Sequence, residues 1–170
     1  MLFRRVLTAA LIASTAVIGT SACSMLSHKD SLREYAPSDG AQGNLGSVKA
    51  RNLMILTSSK IPNSYGLIGS FVNSTSKTQT FVVSYDNQPA RQFTVKAYSV
   101  LKLGYSGNSM MTVNLPTRKH TKSWAGSMVT FTLASASEPD VLPIDINIPV
   151  YDERLPGYQD LIDELSAASN

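Results

Sequence analysis

Val129-Thr130-Phe131-Thr132-Leu133-Ala134 and, after a turn, Ile144-Asp145-Ile146-Asn147-Ile148-Pro149-Val150 decide the fold class. In both stretches large apolar residues alternate with polar or small ones, so one side of each chain segment is apolar and the other is not. A period of two matches the alternating side chains of a strand with one face in a core and the other in water. Met111, Val113 and Leu115 alternate with Thr112 and Asn114 in the same way.

Working outward from these three, residues 49–57, 66–73, 80–85, 92–96 and 99–104 also read as strands. Gly66 and Gly69 inside the second of these suggest a bulge or a close backbone approach. Turn residues separate the runs at Ile61-Pro62-Asn63-Ser64, Asn73 to Lys77, Asp86-Asn87-Gln88-Pro89 and Ser106-Gly107-Asn108. The connections are too short for the crossovers that parallel neighbours require. About eight short strands at this spacing predict an all-β domain, a two-sheet antiparallel sandwich of immunoglobulin-like or cupredoxin-like form.

The beginning of the chain has a different character. Arg4-Arg5 precede an apolar run from Val6 to Ile18, and Thr20-Ser21-Ala22 lead to Cys23, the single cysteine of the 170 residues. A positive n-region, an apolar h-region and small residues before a boundary form an export signal rather than a folded helix. The small-small-Cys ending resembles the lipobox of bacterial lipoproteins, which implies a cleaved signal over residues 1–22, with diacylglycerol and a fatty acid such as palmitate carried by Cys23. Each buried CH₂ adds about 0.8 kcal/mol of membrane affinity, so two or three chains hold a protein without any spanning helix. The expected location is the extracytoplasmic face of the cell membrane, reached by Sec export. With its only thiol acylated, the chain has no disulfide to draw on. Losing Arg4 and Arg5 lowers the formal net charge from +3 to +1. The basic isoelectric point near 9.0 is therefore no argument for a nucleic-acid partner.

Residues 23–46 read as the lipidated cysteine and a polar, flexible tether, 47–150 as the β-domain, and 151–170 as an acidic tail. In the tail Tyr158, Leu161, Ile162 and Leu165 fall at i, i+3, i+4 and i+7, the pattern of a short amphipathic helix. A helix this short is marginal alone in water, so it either docks on its own domain or meets a partner's groove.

Gly126-Ser127-Met128-Val129-Thr130-Phe131-Thr132-Leu133 followed by Ile144 to Val150 is similar to the closing hairpin of PCuAC-like domains. These are extracytoplasmic copper chaperones with a cupredoxin-like sandwich. Tyr65-Gly66-Leu67-Ile68-Gly69-Ser70-Phe71-Val72-Asn73-Ser74 resembles an earlier strand and turn of that family. Tyr35-Ala36-Pro37-Ser38-Asp39-Gly40 before Arg51-Asn52-Leu53 resembles the start of such a domain in actinobacterial lipoproteins. The resemblance implies a Cu(I) site built from His and Met, the soft ligands that Cu(I) favours. Here the chain departs from the family. Its two histidines are His28, in the expected tether, and His120, followed by Thr121-Lys122, so no His-x-Met pair exists. Met110 and Met111 are adjacent and point to opposite sides of a strand, so at most one can join His120. The family's metal site is expected to be lost, and neither copper nor another cofactor is expected.

Other chemistry is sparse. Gly104-Tyr105-Ser106-Gly107 lacks the spacing of a nucleophile elbow, and Asp145 sits at an outward strand position. The chain shows no phosphate-cradling loop and no zinc-ligand spacing, so an enzyme is not expected. Two features point to binding. One is the basic stretch Arg118-Lys119-His120-Thr121-Lys122, close to Trp124, the only tryptophan. The other is the tail. The leading expectation is a non-enzymatic envelope lipoprotein whose β-domain binds another envelope protein. A copper chaperone with a degenerate site and a binder of anionic cell-wall polymer are the alternatives.

Overall fold

The computed structural model describes residues 38–61, 63–105, 109–117 and 123–168. Cys23 and the whole expected signal lie outside the described residues. So do Arg118, Lys119, His120 and Lys122, and likewise Ser106 and Gly107.

Ala36–Asn170 form a compact unit. It is all-β but for one short helix. The strands are β1 (Ala41–Leu45), β2 (Val48–Thr57), β3 (Tyr65–Asn73), β4 (Gln79–Ser84), β5 (Arg91–Val95), β6 (Ser99–Leu103), β7 (Met111–Thr112), β8 (Met128–Ser135) and β9 (Ile144–Tyr151). The helix, α1, covers Gln159–Ala168. The hydrogen-bonded path runs β5-β4-β8-β9-β2-β3-β6, with β1 added to β2 and β7 added to β3. This is a nearly closed mixed sheet. All pairings are antiparallel except one: the end of β9 pairs parallel to β2 at Ile55↔Val150 and Leu56↔Tyr151, while Val150 N–H still donates to the Ser127 carbonyl at 2.9 Å.

Residues 129–134 and 144–150 fall in β8 and β9, paired from Met128↔Pro149 to Leu133↔Ile144. Val129, Phe131, Leu133, Ile146 and Ile148 enter the core, as their alternation requires. Their outward neighbours bond across the ladder, Thr130 Oγ1 to Asn147 Oδ1 at 2.8 Å and Thr132 Oγ1 to Asp145 Oδ1 at 2.7 Å. Aromatic rings fill the centre: Phe71 lies 4.6 Å from Phe81, and Tyr85 stacks on Phe131 at 4.5 Å. Such pairs contribute about 1 kcal/mol each beyond the area they bury.

β1 falls within the stretch read from the sequence as tether. It pairs with β2 from Ala41↔Leu53 to Leu45↔Val48, and Leu45 is fully buried.

In β2 the register with β3 shifts between Arg51 and Met54, where Asn52 takes a left-handed φ of 52°. Gly69 lies across from this bulge at φ 140°, and a Cβ there would stand 2.7 Å from Leu53 Cδ2 and 2.8 Å from the Asn52 carbonyl oxygen. Only glycine lets the two backbones approach this closely. The bulge also changes which residues of β2 face outward: Lys49 and Arg51 before it, Met54 and Leu56 after it.

Candidate binding surfaces

The tail builds its geometry from short-range polar contacts. Beyond β9, Arg154 Nε bonds both carboxylate oxygens of Asp152, at 2.9 and 3.0 Å. This bond holds the Asp152 carboxyl below the usual carboxylate range. Glu153 accepts the backbone N–H of Ser59 at 3.1 Å and also its hydroxyl, which lowers the Glu153 pKa and ties the tail to the β2–β3 loop. Gln159 closes the turn before the helix. Its Oε1 accepts from Gly157 N at 2.9 Å, and its Nε2 donates to the Leu155 carbonyl at 2.9 Å.

The amphipathic helix expected at Tyr158, Leu161, Ile162 and Leu165 is α1. It starts where Ile162 N–H reaches the Tyr158 carbonyl at 3.1 Å. Ile162 and Leu165 are 3% and 6% exposed. Ile162 packs with Met54, Leu56 and Ile68 in a second apolar cluster on the outer side of β2 and β3, bordered by Tyr105, Met110, Tyr151, Leu155, Tyr158 and Leu161. Of the two expectations for the tail, the structure takes docking on its own domain. Ile162 and Leu165 are thereby buried in the domain's own packing. Tyr158 and Leu161 are half-buried at the margin, and Asp160, Asp163 and Glu164 are exposed. Burial and the neighbouring Tyr158 push the Tyr105 phenol up to about 12.

Trp124 is half-buried. Its ring packs against the main core, and its Nε1–H donates to the Pro116 carbonyl at 2.8 Å. Met110 and Met111 do lie on opposite sides: Met111 is in the main core at 3% exposure, while Met110 borders the outer cluster under α1. Among the described residues no group of three or more His, Cys, Asp or Glu is placed to hold a metal ion. Nor, among them, is any helix long and apolar enough to cross a membrane.

No family model and no curated protein matches the chain.

Two features escaped the sequence reading. The first is a cavity of about 310 Å³ lined by Tyr85, Gln88, Arg91, Met111, Thr112 and Asn114, among others. Asn114 N–H donates to the Tyr85 hydroxyl at 2.8 Å on its wall. The Asp86-to-Pro89 turn marked the place, but nothing in its residues signalled a hollow. The second is a bare half of the outer β2–β3 face, beyond the bulge from α1. Lys49, Val100 and Lys102 are exposed there, with Arg51, Ser70 and Val72 half-buried between them. These residues lie on three strands and meet only through register.

Proposed function

We propose that the chain is an exported lipoprotein, acylated at Cys23 and held on the extracytoplasmic face of the cell membrane. Its β-domain acts there as a non-enzymatic module that binds another envelope protein. The observation that carries this reading is order along the chain. Arg4-Arg5, the apolar run and the small residues close on the sole cysteine, and the compact unit that follows has its own core from β1 onward. A short polar segment then separates the acylated residue from the folded domain, the arrangement a tethered module needs. The resemblance to PCuAC-like lipoprotein domains is part of this proposal. It is supported by β3, β8 and β9 occupying the stretches that carry it. We read the nearly closed sheet as a two-layer sandwich of immunoglobulin-like or cupredoxin-like form, in which β9 passes from one layer to the other.

Growth of cells expressing the full chain with an alkyne-bearing palmitate tests the anchor. Incorporation of the label and recovery in the membrane fraction are expected, with both lost in Cys23→Ser. An unlabelled wild-type chain, or a Cys23→Ser chain that still fractionates with membranes, would overturn the reading.

A further inference from the structure

The outer face of β1, β2, β3 and β6 consists of two unlike halves that meet at the Asn52 bulge. Over one half lies α1, seated on Met54, Leu56 and Ile68, with Asp160 and Glu164 turned to solvent and Asp163, also exposed, paired with Lys60 Nζ at 3.6 Å. In the other half Lys49, Val100 and Lys102 are exposed, and no described helix lies over it. Register places Asn44, Lys49, Val72 and Val100 in one row across the strands, and Arg51, Ser70 and Lys102 in the next. Neither row contains an acid. The Arg51 guanidinium is fixed over β1 by the Gly43 carbonyl at 3.0 Å and Asn44 Oδ1 at 2.8 Å. Lys49 and Lys102 form no ion pair with another described residue. Val100 is 48% exposed, unusually open for an apolar strand residue. At the turn into β6, Tyr98 is 73% exposed and holds a left-handed φ of 50° that any side chain beyond glycine adopts at a cost.

We propose that this face is the interface of a two-fold dimer, in which the α1 of each copy lies on the uncovered half of the other. Three properties fit a second copy. The charges are complementary, because the exposed acids of α1 meet Lys49, Arg51 and Lys102, with no acid in either of their rows. The shapes are complementary as well: a raised helix beside a bare half-face, turned about a two-fold axis lying across the strands at the bulge, places each helix over its partner's bare strands. Such an isologous contact closes after two copies. The dimensions also agree, since ten helical residues span about 15 Å and the five residues of β6 about 17 Å. Val72 and Val100 then lie beneath the partner's helix, adding apolar surface to the contact beside Lys49, Arg51 and Lys102.

Sedimentation of purified residues 24–170, which contain the whole compact unit, tests the proposal and does not depend on the lipid anchor. A dimer is expected at low salt, weakening as salt rises. Lys49→Glu with Lys102→Glu sets acid against acid twice over and should weaken association by at least about tenfold. Adding Asp160→Lys and Glu164→Lys to that same chain should restore it. All four substituted positions are exposed, so the variants should keep the wild-type circular dichroism spectrum and Tm. A wild-type chain that stays monomeric at high concentration and low salt would overturn the proposal. So would a dimer indifferent to the Lys49/Lys102 pair, or a weakened dimer that the added lysines fail to rescue.

Discussion

Leu165 of α1 sits over Gly66 of β3 so closely that a Cβ on residue 66 would lie 3.2 Å from Leu165 Cδ1 and 2.9 Å from Met110 Sδ. The glycine is the recess that lets the helix reach the sheet. Gly66→Ala should lift α1 and lower stability by about 1 kcal/mol, because overpacking forces neighbours off their rotamers. Leu165→Ala should cost about 2–3 kcal/mol through lost burial and the space left behind. Urea unfolding of residues 24–170 measures both. A neutral Leu165→Ala would show that the helix contributes nothing to the fold.

The buried side chain of Asn73 organises the opposite end of the barrel-like core. Its Nδ2 faces the carbonyls of Lys77, Lys96 and Val95 at 2.7, 3.0 and 3.2 Å, while its Oδ1 accepts from Thr75 N at 3.0 Å and Thr75 Oγ1 at 2.7 Å. One amide thus ties the β3–β4 turn to the β5–β6 turn. Asn73→Ala should cost about 2–3 kcal/mol, since buried partners lose their bonds. Asn73→Asp should cost more at neutral pH, because a carboxylate cannot donate to three carbonyls.

Acid should loosen the contact between the β1–β2 turn and the segment after β8. Glu138 accepts from the Ser47 hydroxyl and from Ser47 N at 2.9 Å, and these bonds lower its pKa below the ordinary 4.5. A depressed carboxylate contributes stability that is present above the unfolded pKa and lost as pH falls through the folded one. The Tm should therefore drop below about pH 4.5, and Ser47→Ala should flatten that drop while lowering Tm at pH 7. Thermal melts from pH 7 to pH 3 on both proteins give the comparison; parallel curves would exclude a part for this pair.

Much of the fold is legible in the residues because most strands bury one face only. β8 and β9 show it best: alternation there identifies both the strand and its inward side. β1 is not legible, and Gly43 explains why. A Cβ at residue 43 would stand 2.5 Å from Ile146 Cδ1, so a position that alternation expects to be large must be glycine, and the stretch reads as spacer. The parallel contact of β9 with β2 covers only two residue pairs, too few to leave a pattern. In β2 the continuous apolar run Leu53-Met54-Ile55-Leu56 arises because α1 covers its outer side, so the run itself signalled a second layer. The tail's helical spacing likewise announced α1 and its apolar side, but not whether that side meets the chain's own sheet. That answer depends on Gly66 and Met110, more than forty residues away in sequence and brought together only by the fold. The uncovered cationic half-face is illegible for the same reason, as Lys49, Arg51 and Lys102 become neighbours only through register.

A Cu(I) site of the kind the family resemblance implies needs soft side chains converging on one point. Met111 is enclosed in the main core, while Met110 lies beneath α1 against Gly66, with the strand between them. Bringing Met111 to a ligand would expose a residue now 3% exposed, and bringing Met110 there would unseat Leu165. Either movement costs core packing that one thioether bond to a metal must offset. A competition titration of residues 24–170 against a Cu(I) chelator should therefore show no transfer of metal, and His120→Ala should behave identically. Tight one-to-one binding that disappears in His120→Ala would reverse this and restore the chaperone reading, with ligands drawn from a rearranged β7 region.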